Sequence, residues 1–481
     1  MVEKFGCGYG RATLSCDHLS SGLLSLISQL SQQLLSQQHA ASFEDLERDV
    51  HNQLQAFGDV VVERYLLDAL NDPVRTEESI QEFRDKGYRV HKRNKKTRVQ
   101  LYGGRIVSVR TVYMLPRKPR PKGRKRGVGK RGKQGKGVYP VLRKLGIAHQ
   151  ASPALQNEVT LSALNSPFFE ATETLNRHGV EISEKRVRTI SESVGQVALK
   201  KRNTEIEQFQ SGTLPEADTF VDQRVVIAID GGRTRTRRSK KGRKKKGQKR
   251  QGFHTKWKEP KLLTLYAIDE NGKKLNQEKL PYCDGTLEGR KRFKLLLKIY
   301  LYKTGALRAR QMIFIGDGAP WIWNIVTEII EEMKIDSTKV SQVLDFYHAC
   351  EKFWKIIDAL PRLRQKQKKR LYAKVKRQLK NGQIETVIES LGQKCKASRK
   401  AYKTLRYFHG HENRCRYDLF VRNKIPIGSG AVESAIRRVV NLRLKGAGMF
   451  WLEKNAEAFL HLRCQLKMRR WDSFFQNLIT T

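Results

Sequence analysis

Acidic residues are scarce in this chain. Its 481 residues include 95 lysines and arginines but only 48 aspartates and glutamates, a formal net charge of +47. Solubility needs far less. An excess of this size predicts strong, salt-sensitive attraction to nucleic acid. A ribosomal or chromatin-like protein could be as basic, but 39% apolar residues and several compact strand-like runs ask for a globular core. Cysteine is also sparse. The seven thiols include no CxxC pair, so a zinc ribbon or finger is not supported, and they read as reduced, structural cysteines of a cytosolic protein. No apolar run reaches the roughly 18 residues of a membrane helix, and the start of the chain has no signal-peptide pattern. The length suggests about three domains at ~150 residues each.

Carboxylates therefore stand out where they do occur. Residues 225–230, VVIAID, form a short β-branched run that fits a strand buried on both faces, ending in Asp230 and two glycines. Asp-Gly is also a common turn pair, so Asp230 alone could simply start a turn. Residues 311–320, QMIFIGDGAP, repeat the device with Asp317. Residues 427–434, IGSGAVES, then set Glu433 near the start of a helix. Two strand-end aspartates and a helical glutamate can bind two divalent cations. Such a pair activates a nucleophile and stabilises a leaving oxygen in phosphoryl transfer. An ion pair with Arg437, one helical turn on, is the plainer reading of Glu433.

Along the chain, residues 1–75 predict N-terminal helices. Leu23, Leu24, Ile27, Leu30, Leu34 and Leu35 have helical spacing, and a second helix over 43–70 puts Leu46, Val50, Leu54, Phe57, Val61 and Leu66-Leu67 on or near one face before Asn71-Asp72-Pro73 stops it. Residues 76–150 hold a β-hairpin at 98–115, turning at Gly103-Gly104, and a basic loop. That loop, 117–136, carries eleven Lys or Arg, Arg124, Lys125 and Arg126 among them, and no acid. Residues 151–211 read as helical. There 168–178, a glycine turn and a helix from Glu184 bearing Lys185, Arg186 and Arg188 fit either a helix-turn-helix or an ordinary helical hairpin.

After a linker at 212–218, the first part of the core spans 219–349. Residues 233–250 contain twelve basic residues and no acid, including Arg233, Arg235, Arg237 and Arg238, and read as a flexible loop. Strands are expected at 225–230, 261–268, 274–282, 312–315 and 340–344, with helices at 287–302 and 321–333. The order β-β-β-α-β-α-β, with aspartates on the first and fourth strands, is the layout of a ribonuclease H-like α/β fold. An all-helical, basic insertion at 350–424 interrupts it. The last part, 425–475, begins a last helix at Glu433. Asp345 reads as a helix cap, with His348 one turn behind it.

These motifs resemble a known family. Asp230, Asp317 and Glu433 match the Asp-Asp-Glu pattern of DDE transposases. IDGGR, IGDGAPWIWNI, LDFYHACEKFW and IPIGSGAVESAIRRVVNLRLKGAGMFW, with HLR after it, resemble transposases of bacterial insertion sequences of the ISKra group, which are similar to Mutator-like transposases. The resemblance runs from about residue 43 to 471. It implies that Asp230 bridges two Mg²⁺ ions (Mn²⁺ as substitute), that Asp317 and Glu433 each hold one, and that His348, matching a C/D-x-x-H motif, orients DNA. It also implies double-stranded DNA as partner, a homodimer or higher oligomer on that DNA, and a cytoplasmic, nucleoid-associated location. Such relatives often carry a cysteine-rich zinc module near the hairpin, where this chain has its basic loop instead.

Overall fold

The computed structural model describes residues 42–117, 137–240, 252–275, 281–361 and 363–479, with positions 28, 32, 242 and 247 in isolation. The leucine-rich segment at 23–35 and most of both basic runs, Arg124, Lys125 and Arg126 included, lie outside the described residues.

Helices α1 (Phe43–Asn71) and α2 (Pro73–Asp85) meet at Asp72, whose carboxylate accepts the backbone N–H groups of Val74 and Arg75. With Pro73 in the first helical position, this is the stop that the sequence implied. The apolar face expected on α1 is buried only at its C-terminal end, at Leu66, while Leu54 remains 60% exposed and Val61 46%. The buried positions of α1 are Asp59, Leu66 and Ala69. Asp59 accepts the N–H groups of Gly103 and Arg105 at 3.0 and 2.9 Å, which hooks α1 to the turn of a hairpin. That hairpin pairs β1 (Tyr88–Gln100) with β2 (Ile106–Pro116). It begins ten residues earlier than expected, because the exposed, charged ribbon from Arg89 to Lys96 carries no apolar alternation.

Helices α3 (Pro140–Lys144), α4 (Pro153–Asn165), α5 (Phe168–Arg177) and α6 (Glu184–Gln210) follow. The α5–α6 pair is a helical hairpin whose second member is a 27-residue core helix. Gly195 of α6 lies so close to Ala458 that an added Cβ would come within 2.8 Å of the alanine methyl.

The centre of the molecule is a mixed five-stranded sheet flanked by helices. Its strands are β3 (Arg224–Gly231), β6 (Lys261–Ile268), β7 (Tyr282–Thr286), β8 (Gln311–Gly316) and β9 (Val340–Leu344), in the order β7-β6-β3-β8-β9. Strands β3, β8 and β9 are parallel, while β6 runs antiparallel to both β3 and β7. Strand β7 lies downstream of the 274–282 stretch proposed for it. A separate ribbon, β4 (Thr234–Ser239) with β5 (Phe253–Lys258), occupies residues read from sequence as a loop. Its arginines gave no apolar signal, and the edge of β4 is satisfied instead by Trp451, through Arg237 N–H to Trp451 O at 2.7 Å and Trp451 N–H to Arg235 O at 3.1 Å.

Helices α7 (Arg290–Lys303) and α8 (Pro320–Glu332) pack on one face of the sheet. The helical stretch beyond β9 contains α9 (Phe346–Asp358), α10 (Gln365–Lys380), α11 (Ile384–Cys395), α12 (Arg399–Leu405) and α13 (Tyr417–Arg422), whose apolar faces extend the same core. Helix α14 (Gly430–Ala435) continues in wide π-helical turns over Ile436–Asn441. It is not the last helix: α15 (Glu453–Lys467) and α16 (Trp471–Ile479) follow. Together with α4–α6 they cover the other face of the sheet at Ala228, Leu262 and Cys283.

A buried charge network joins these layers. Arg202 of α6 pairs with Glu457 of α15, donates to Gly285 O at 3.0 Å and lies 3.7 Å from Asp284 of β7. Asp284 also meets His461 at 3.0 Å and accepts from the Tyr300 hydroxyl at 3.1 Å. Burial works against the Asp284 charge, but His461, Arg202 and the Gly285 N–H outweigh it and hold the carboxyl down at about 2. An unfolded Asp titrates near 3.9, so the group's stabilisation is complete above about pH 4 and is lost as pH falls towards 2. Arg202→Met, which strands two buried carboxylates, should cost on the order of 3–5 kcal/mol in denaturant unfolding at pH 7. Asp284→Asn should destabilise at pH 7 and progressively less below pH 4.

Candidate active site

Strand register builds the site. Ile229 of β3 pairs with Gly316 of β8, and Gly316 with Leu344 of β9. Asp230, Asp317 and Asp345 each stand one residue beyond that row. Three aspartates thus line up at the carboxyl ends of three neighbouring parallel strands, roughly 4.8 Å apart strand to strand. The carboxyl edge of such strands is where open α/β sheets bind their ligands.

The three have different surroundings. Asp230 is half-buried and accepts the N–H of Gly231 at 2.6 Å. Burial raises its pKa to about 6; the Gly231 bond and the His348 charge lower it, and the charges of Asp317 and Glu433 raise it further. Asp230 therefore senses both of the acids grouped with it from sequence. Asp317 accepts the N–H of Ala319 at 2.9 Å, and its backbone carbonyl accepts the Trp323 indole N–H at 2.8 Å. Next to it, Gly318 N–H donates to the Tyr407 hydroxyl at 2.5 Å, and a Cβ on Gly318 would lie 2.0 Å from that oxygen. Burial, and then the Asp317 charge, push the Tyr407 hydroxyl well above its usual range.

Asp345 is fully buried. One oxygen accepts the His348 backbone N–H at 2.7 Å, which makes Asp345 the cap of α9 as expected. The other accepts the N–H of Ser429, in the loop that leads to Glu433. Burial alone would raise its pKa, but the bonds from His348 and Ser429 keep it below the usual carboxylate value. His348 Nδ1 lies 3.3 Å from Asp345 Oδ1 and 3.6 Å from Glu433 Oε1. The hydrogen bond to Asp345 is the largest reason why His348 is raised to about 9, against some opposition from burial. Glu433 also accepts from the Ser429 hydroxyl at 3.0 Å. Its ion pair is with His348 and not with Arg437.

Among the described residues, Asp345, His348 and Glu433 are the one group whose potential ligand atoms all lie within 4.8 Å of one another. They could hold a metal ion: each Asp345 oxygen keeps a second lone pair beside the backbone N–H it accepts, and His348 would ligate by giving up its proton. Among the described residues Asp230, Asp317 and Glu433 do not form such a close group; what links them is that the charges of Asp317 and Glu433 both act on Asp230. Carboxylates are hard oxygen donors, the type that Mg²⁺ or Mn²⁺ prefers.

The basic residues singled out from sequence are placed unevenly. Arg233, Arg237, Arg238 and Arg437 are exposed. Arg235 donates to Gly446 O at 3.2 Å and stacks between Trp257 and Phe450. Arg186 binds Gln100 Oε1 at 2.6 Å and Gln150 O at 2.7 Å, tying α6 to the N-terminal hairpin. Tyr407 and Ser429 were not found from sequence. Ser429 had a signal in its four-residue spacing from Glu433, whereas Tyr407 had none beyond the glycine at 318 that faces it.

The raised Asp230 pKa carries a stability cost. An unfolded Asp ionises near 3.9, so the folded chain holds this proton more tightly; the cost is absent below about pH 4 and complete above about 6. Asp230→Asn should therefore raise Tm by roughly 2–4 °C at pH 8 without divalent cations, and by little at pH 4.5. Equal Tm gains at both pH values in scanning calorimetry would contradict this cause.

A scan against protein-family models found no match to this chain, and a search of curated proteins found none either.

Proposed function

We propose that the chain is a transposase of the Asp-Asp-Glu type, built on a ribonuclease H-like core, that cuts DNA at transposon ends and joins the freed ends to target DNA. The observation that carries the reading is the aspartate row. Asp230 and Asp317 lie on adjacent parallel strands of a sheet ordered β7-β6-β3-β8-β9, and the Glu433 charge reaches Asp230 from a helix that follows an all-helical insertion. The motif resemblance supplies the reaction, and the +47 charge supports a polyanionic substrate.

Under this reading Asp230, Asp317 and Glu433 hold two Mg²⁺ ions, with Mn²⁺ able to replace them. When bound, the pair supplies an activated oxygen nucleophile and neutralises charge on the leaving oxygen. The chain's own groups do the rest. Protonated His348 holds Glu433 in position and can donate to a phosphate oxygen with its second ring nitrogen. Asp345 keeps His348 charged and fixes the loop bearing Glu433. Arg233, Arg237, Arg238 and Arg437 are exposed and available to backbone phosphates, contacts that position DNA without reading its sequence. DNA strands leave as substrates of one another, so the cycle needs no covalent bond to the enzyme. Two ends brought together ask for at least two copies of the chain.

The test is cleavage and strand transfer on duplexes carrying the DNA that flanks this gene. Asp230→Asn, Asp317→Asn and Glu433→Gln should each lower Mg²⁺-dependent cleavage by more than about 100-fold. Duplex affinity should change little, because lysine and arginine contacts supply most of it. Cleavage without joined product would make the chain a nuclease or resolvase. Near-normal cleavage by any of the three variants would remove that residue from the site.

A further inference from the structure

We infer that the β4–β5 ribbon is a stacking platform for unpaired nucleobases beside the carboxylate site. The inference rests on the nucleic-acid reading above and extends it to a strand form and a surface. The ribbon and the neighbouring Phe450 form a ladder of rings and guanidinium groups in the order Trp257, Arg235, Phe450, Phe253, Arg237. The Arg235 guanidinium lies 5.4 Å from the Trp257 ring centre and 4.9 Å from that of Phe450. Phe450 stands 5.4 Å from Phe253, and the Arg237 guanidinium lies 5.6 Å from the Phe253 ring centre. Register puts Arg235 opposite Trp257 and Ser239 opposite Phe253, so both rings share one face of the ribbon.

The ladder is held rigidly near the site. Strand β4 starts four residues after Asp230. Gly232 N–H donates to Pro260 O at 2.8 Å across the base of the ribbon, and Thr234 Oγ1 donates to Leu444 O at 2.8 Å. Trp451 pairs along the β4 edge. The platform is therefore fastened both to the strand of Asp230 and to the segment downstream of Glu433. Even so, Trp257 leaves 54% of its surface in solvent and Phe253 40%. A rigid ribbon with exposed rings is not explained by core packing.

Charge selects the occupant. Within β4 and β5 the charged side chains are Arg235, Arg237, Arg238, Lys256 and Lys258, with His254 beside them and no acid. Lys258 pairs with Glu453 at 2.7 Å. Arg237 is exposed on the face of the rings, and Arg238 and Lys256 are exposed on the opposite face of the ribbon. Rings interleaved with cations bind single-stranded nucleic acid, because every base offers a π-face and every linkage a phosphate. A paired base has its faces covered by its neighbours, so the platform distinguishes unpaired from duplex DNA. An apolar protein partner would gain nothing from these cations.

The experiment uses the full chain without divalent cations and fluorescence anisotropy of two labelled probes, a 20-nucleotide thymidine strand and a duplex of the same length. Trp257→Ala should weaken single-strand binding roughly 5- to 100-fold, while duplex affinity stays within about twofold. Trp257→Phe should restore most of the loss. Phe253→Ala should act in the same direction. An unchanged melting curve verifies that Trp257→Ala folds. Unchanged single-strand affinity in Trp257→Ala, or an equal loss on both probes, overturns the platform while leaving the catalytic reading intact. Failure of the wild-type chain to bind either probe overturns the nucleic-acid reading itself.

Discussion

The site depends on one buried carboxylate. Asp345 closes the point where the helical insertion leaves the sheet and where it returns. One oxygen caps α9 at the exit, and the other takes the Ser429 N–H at the return. A neighbouring backbone bond, Phe346 N–H to Ile427 O at 2.9 Å, reinforces the junction. The helices of residues 346–424 can therefore extend the core of the sheet while the loop bearing Glu433 stays tied to the end of β9. The entropy of closing such a loop grows only slowly with its length, so the length of the insertion matters less than how well its ends are joined. A charge removed from water needs hydrogen bonds that favour it, and Asp345 has them from both sides.

The same junction sets the electrostatics. In a chain of +47, the edge of the sheet is a place where acids crowd together. Burial first, and then the neighbouring acids, raise the pKa of Asp230, and His348 holds its proton chiefly through its hydrogen bond to Asp345. His348 is thus a fixed cation between Asp345 and Glu433, and it partly offsets a repulsion that a divalent ion would offset further. Tyr407 and Gly318 add a contact from the insertion itself, so the helical body also supports the strand end that carries Asp317.

Much of this was legible in the sequence for a physical reason. Buried strands must be apolar and β-branched, so 225–230, 261–268 and 340–344 were readable almost to the residue. An aspartate ending two such runs could be recognised as a repeated device. The ribbon β4–β5 was not readable, because arginine, lysine and threonine in alternation resemble a solvated loop unless the partner edge at Trp451 is known. The apolar stripe on α1 was legible and is buried at Leu66, yet only tertiary position could tell that Asp59, not Leu54, meets the hairpin. Arg186 fitted a DNA-binding helix-turn-helix as well as an ordinary helical hairpin, and its guanidinium ties α6 to Gln100 and Gln150. The charges of a basic protein include structural ones, and sequence alone does not separate them.

The central claim is that Asp230, Asp317 and Glu433 together hold divalent cations, while Asp345 and His348 organise the site without ligating. Anomalous diffraction from crystals grown with Mn²⁺ tests it most directly. The account predicts manganese peaks bounded by the carboxylates of Asp230, Asp317 and Glu433, with Asp345 still bonded to Ser429. A single peak on Asp345 and His348, or no peak within reach of Asp230, would contradict it.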